Sequence, residues 1–141
     1  MLHAHSGLRW LAIIVIIYAI FNAYTGVKQA RDFHKKDKML GLMTLILFHT
    51  QLLIGVVLYF KDTHGYVNFN MAEKITRFFS VEHPLGMLIA IALVTIGYSK
   101  SKKENTDRMK FRKILIFYSI ALIFVLASIP WPFRELGAGW F

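Results

Sequence analysis

Leu40 to Phe60 reads LGLMTLILFHTQLLIGVVLYF, an apolar run interrupted near its middle by His49. A helix rises about 1.5 Å per residue and a bilayer's hydrocarbon core is about 30 Å thick, so about 20 apolar residues cross it. This run has that length. An ionisable side chain so deep in hydrocarbon is expensive, and such residues usually face a bundle interior and do a job there. Imidazole is also the commonest metal and haem-iron ligand.

Three further apolar runs lie outward from this one, and together the four use up most of the 141 residues. They predict an all-α membrane protein, a four-transmembrane-helix bundle in one domain over 1–141. The helices are expected over about 7–27, 39–60, 79–99 and 111–129. Ser6 is read as the N-cap of the first. Pro84 is expected to disturb the third, and Pro130 and Pro132 to end the fourth. With 56% hydrophobic residues and a mean hydropathy of +0.48, the chain is far more apolar than a soluble domain and leaves no room for one. The apolar part of the first run, Leu11 to Ala23, is too long for a signal peptide and has no small-residue cleavage site after it, so it reads as a retained helix. There is no cysteine, which excludes disulfides, c-type haem attachment and Cys-ligated iron–sulfur clusters.

A net charge of +9 suggests nucleic acid until its placement is read. The excess sits in two short loops, Lys28 to Lys38 and Lys100 to Lys113. The positive-inside rule explains that placement, and no nucleic-acid partner is expected. Both basic loops are predicted cytoplasmic, giving an N-out/C-out, multi-pass protein of the bacterial cytoplasmic (inner) membrane.

This topology sorts the histidines. His3, His5 and His64 fall at the outer surface, His83 in the outer third, His49 nearer the middle, and His34 in a solvated loop. Two axial nitrogens on one iron lie about 4 Å apart. The height mismatch is about 9 Å between His49 and His83 on ideal rises, and similar between His5 and His83. Spacing alone does not choose the pair. His83, Gly86, Ala90 and Gly97 form a face with little bulk, suited to a porphyrin edge and, with the greater weight, to close helix packing. Arg9, Arg77 and Arg134 suit haem propionates or lipid head groups. Glu82, the only acid in an apolar span, is read as orienting a histidine on another helix, His5 being the natural candidate, as carrying protons, or as snorkelling to the outer interface.

Five segments carry a resemblance: HSGLRW (His5 to Trp10), FHTQLLIG (Phe48 to Gly55), VEH (Val81 to His83), VTIGYSK (Val94 to Lys100) and IPWPF (Ile129 to Phe133). They resemble a family of short bacterial four-helix membrane proteins filed as cytochrome-b-like, over nearly the whole chain. A vaguer, architectural likeness is to one half of a haem A synthase, whose second half, with room for a second haem, is missing here. The resemblance implies His49 and His83 as haem ligands, with His5 as the alternative.

The expectation is therefore a b-type haem protein, bis-histidine ligated within the bundle, acting in electron transfer. The lipid bilayer is its first partner, and quinol or respiratory-complex subunits are further ones. His49, His83, His5, Arg9, Arg77 and Gly86 are the candidate haem-site residues. No residue set suggests independent catalysis beyond electron transfer. A second expectation is a cofactor-free accessory subunit of a larger respiratory or transport complex, docking through the aromatic tail Leu136 to Phe141. A third is a copper or zinc ion at the outer rim on His3, His5, His83 and Glu82.

Overall fold

The computed structural model describes residues 2–61 and 70–140; His64 lies outside them. Four long helices account for most of the described chain: α1 (Leu2–Lys28), α2 (Lys35–Lys61), α3 (Lys74–Lys103) and α4 (Asp107–Ser128). No strand occurs among the described residues. Each helix is long and apolar enough to cross a membrane. Each packs against the next, and α4 closes the ring against α1.

The helices overrun their apolar runs at nearly every end. Polar residues are welcome in a helix beyond the hydrocarbon, where long side chains reach water. α1 thus begins at Leu2, and Ser6 lies inside it instead of capping it. α4 begins four residues before its apolar run, capped by Thr106, whose hydroxyl accepts from the Met109 N–H at 3.3 Å.

The core mixes small residues with a few large ones such as Tyr118 and Phe111. Ala12, Ile16, Ala19 and Ala23 of α1 form one cluster with Ala90 and Val94 of α3 and Tyr118 and Ala121 of α4. The low-bulk face of α3 turns to α4. A Cβ on Gly97 would stand 2.5 Å from the Phe117 Cβ, and one on Gly86 would collide with Ser128. That face is filled by close helix packing, and Gly86 meets the neighbouring helix there. Outside, Ile14, Phe21, Leu53 and Ile123 are each more than 60% exposed, a skin compatible with lipid.

α2 departs from this pattern. Its buried residues are Asp37, Gly41, Thr44 and Phe48, and none follows. The inward stripe continues at helical spacing through Gln51, Gly55 and Tyr59, so the half of α2 beyond Phe48 offers polar or small groups to its neighbours.

α3 carries the second irregularity. Its first turn runs into a π-turn, Phe78–Glu82, before regular α-helix resumes at His83. The His83 N–H bonds the Phe78 carbonyl, one residue further back than in an α-helix. Pro84 has no N–H to give the Ser80 carbonyl four residues before it. The Tyr59 hydroxyl donates to that carbonyl from α2 at 3.2 Å. The helix therefore continues through Pro84.

At the basic end, α1 stops in a Schellman turn. The Arg31 N–H bonds Gly26 O at 3.1 Å and the Ala30 N–H bonds Val27 O at 3.4 Å, with Ala30 left-handed at φ 50°. That turn aims Arg31 at Asp37. The guanidinium donates to both Asp37 oxygens at 2.9 and 3.1 Å and to Asn22 Oδ1 at 3.0 Å. Asn22 and the His34 N–H donate to the same carboxylate, each at 2.8 Å. The His34 bond is half of a capping box at the start of α2. Hydrogen bonding to Asp37 pushes the Arg31 pKa further up, so the guanidinium stays charged.

Candidate cofactor site

α1 and α3 bring two histidines together at the end of the bundle away from the basic loops. The His5 and His83 ring centroids lie 6.2 Å apart with planes at 77°. Two imidazole nitrogens about 2 Å from a shared metal place their ring centroids about 6 Å apart, so the spacing matches a pair that shares one atom.

Each ring has a defined setting. His83 Nδ1 lies 2.7 Å from Ser128 O. A carbonyl only accepts, so Nδ1 carries the proton and Nε2 keeps its lone pair, the arrangement usual for metal-bound imidazoles. Phe78 and Phe79 flank the ring with centroids at 6.1 and 6.5 Å. Across the gap, His5 Nδ1 is buried without a hydrogen-bond partner, as are Arg9 Nε and Gln51 Oε1. Arg9 is one helical turn from His5, and Gln51 Nε2 donates to His5 O at 2.7 Å. A buried polar atom left unpaired costs about 1–3 kcal/mol, so three in one neighbourhood are unusual. Gly55 stands beside the His5 ring, where a Cβ would approach Cε1 to 3.3 Å.

The bond from His83 also caps a helix. The last carbonyls of α4 have no partner within it. Trp131 Nε1 donates to Leu126 O at 2.8 Å, Arg134 Nη1 to Ala127 O at 2.8 Å, and His83 to Ser128 O. A cation at this point also complements the negative end of the helix dipole.

The other residues singled out by the sequence lie elsewhere or are engaged. His49 Nδ1 bonds Leu45 O at 2.8 Å, one turn back on its own helix. It makes no ring contact with His5 or His83; α2 meets the His5 ring at Gly55, six residues or about 9 Å further along. The expected height gap therefore persists, and the pair brought together is His5 with His83. Glu82 pairs with Arg77 at 3.0 Å, both side chains more than 40% exposed, and does not orient His5. Arg9 donates to Trp140 O at 2.8 Å, and Arg134 is held at the α4 terminus. His3 is exposed, and among the described residues no three His, Cys, Asp or Glu gather to hold a metal ion.

The C-terminal residues cover this end. Leu136 is buried, and Trp140 O also accepts from Trp10 Nε1 at 2.9 Å. The chain's three tryptophans, Trp10, Trp131 and Trp140, form a cluster with centroids 6.1–6.3 Å apart. The tail expected to dock a partner is folded onto its own bundle. The clustering of Trp10 with the IPWPF segment and the tail, and the Arg31–Asp37–Asn22 network, were not anticipated. Their only sequence signals are the scarcity of tryptophan and an acid three residues into a helix.

The class that fold and site define is a helical protein with, among the described residues, four candidate membrane-spanning helices and a facing histidine pair near one end. No family model, no curated protein and no solved structure matches the chain.

Proposed function

We propose that the chain is a membrane-spanning b-type haem protein serving electron transfer, with His5 and His83 as its axial ligands. The observation that carries this reading is the pair itself, 6.2 Å apart, with the His83 tautomer fixed from behind. The residues around it fit the group. His5 Nδ1 and Gln51 Oε1 are orphaned beside it, and α2 has no buried residue past Phe48. A haem with two imidazole ligands supplies one-electron chemistry with its iron positions filled. The chain's own part is to hold both rings, to exclude water with Phe78, Phe79 and the tryptophan cluster, and to place the positive Arg9 alongside.

The experiment is an absorption spectrum of the purified protein after expression with ample haem, oxidised and then reduced with dithionite, with pyridine added for haem type. A Soret band that shifts on reduction, with split visible bands, is the expected result. A colourless protein would remove the haem reading and leave a cofactor-free bundle, for which partner capture is the next step.

The orientation belongs to the same proposal. Both basic loops lie at the end opposite His5, so they face the cytoplasm and both termini face outward. Because the chain lacks cysteine, single-cysteine variants report this directly. Lys36→Cys and Lys103→Cys should react with an impermeant maleimide only after permeabilisation, and Ala138→Cys in intact cells. The reverse pattern would invert the topology.

A further inference from the structure

The basic end holds a cavity of about 250 Å³ between α2, α3 and α4, remote from the histidine pair. Four lysines line it: Lys35, Lys38, Lys102 and Lys110. Its lining combines buried residues, Tyr98 at 7% and Ser101 at 2% exposure, with the exposed Lys35, Lys38 and Lys102. These lysines stand near the ends of three helices, where nothing obliges them to share one surface. Here they converge on one concavity, and the acids at hand are already used.

Asp37 is the only acid in the lining, and Arg31 holds it through both oxygens. Lys110 is paired with Asp107 at 3.0 Å. Lys102 lies over the Tyr98 ring at 4.8 Å, which orders the ammonium without neutralising it. The Lys35 and Lys38 ammonium groups make no hydrogen bond or ion pair among the described residues. The Tyr98 hydroxyl, on a nearly buried side chain, has no hydrogen-bond partner either. The concavity thus holds uncompensated positive charge and an unused donor.

We propose that this cavity binds a phosphate monoester group, from an anionic lipid head group or a free phosphate. Several separated ammonium donors and a hydroxyl suit the terminal oxygens and roughly double charge of such a group better than a single carboxylate. Size bounds the ligand as well. Sites for drug-sized molecules begin at about 300 Å³, so this one takes a head group or a small phosphorylated molecule and not a whole nucleotide. The site is independent of the haem reading.

The test has two arms and uses the full chain. In neutral detergent, inorganic phosphate is titrated and phosphorus NMR line broadening is read. In phosphatidylcholine nanodiscs with phosphatidic acid as a minor component, native mass spectrometry reads which lipid is retained. Saturable phosphate binding identifies a free phosphate. Retention of phosphatidic acid without a phosphate response identifies the lipid head group. Lys38→Ala with Lys102→Ala should weaken the responding arm by at least about tenfold, as loss of charge-assisted contacts does. Tyr98→Phe, which keeps the packing, should weaken it several-fold. Lys100→Ala with Lys103→Ala removes equal charge outside the cavity and should leave it unchanged. No response in either arm, or equal weakening by the two double variants, would overturn the proposal.

Discussion

The proposed ligation predicts that His83→Ala and His5→Ala each lose the bis-imidazole haem spectrum and that His49→Ala keeps it. The ligands of one metal must meet at one place, and the His5 and His83 rings face each other while His49 stands lower on α2, away from both. Losing an axial nitrogen should lower haem retention by at least about tenfold, since even residues that merely orient a ligand are worth 10–100-fold. His83→Ala also uncaps Ser128 O, at about 1 kcal/mol of stability, so haem loss alone is open to a trivial explanation. His83→Asn answers it, because its amide nitrogen stands where Nδ1 stood and can donate to that carbonyl. The proposal expects the Asn variant to melt near the native temperature and still be colourless. Pyridine haemochrome content across the four variants decides. Retention in His5→Ala together with loss in His49→Ala would transfer the site to His49.

Asp37→Ala should destabilise the bundle by about 3 kcal/mol, near the lower end of the penalty for breaking a buried charge pair. The carboxylate accepts from Arg31, Asn22 and the His34 N–H, and its side chain is 5% exposed. Without it, Arg31 and Asn22 have lost their shared acceptor, and the first turn of α2 has lost its box. The Arg31 side chain is 31% exposed, so water recovers part of the loss and larger values are excluded. Asp37→Asn, which retains an acceptor, should lose less. Unfolding titrations in mixed micelles measure both. A change within about 0.5 kcal/mol, the range of ordinary surface substitutions, would show that the network is ornamental. Haem content should be unaffected at the native temperature, because the network lies at the opposite end from His5.

The four helices were legible because apolar length alone defines a span, and every run so read lies in a helix. Their ends were not. Sequence placed Ser6 outside α1 and began the last helix at Phe111, because polar residues such as Lys110 look like loop until a neighbouring helix supports them. The histidines stand out in the sequence because ionisable side chains in an apolar run are rare. Their pairing was illegible for a specific reason. Heights on ideal rises depend on where each helix starts, and α1 starts five residues earlier than its apolar run. The partner of Glu82 was hidden for a related reason: Arg77 is five residues away, a spacing that meets only across a π-turn.

That turn has a genetic consequence. In a helix each residue is worth about 100° of rotation, so a stretch wound with one extra residue acts as a phase shifter. Everything after it keeps its bearing only while the surplus residue remains. Deleting one residue between Phe78 and Glu82 would restore ideal winding and leave composition and length almost untouched. It would also swing Phe78 and the residues before it by about a quarter turn relative to His83, displacing part of the ring's aromatic screen. Substitutions there should be tolerated far better than single-residue deletions, so the reading frame of this helix is held by count before it is held by chemistry.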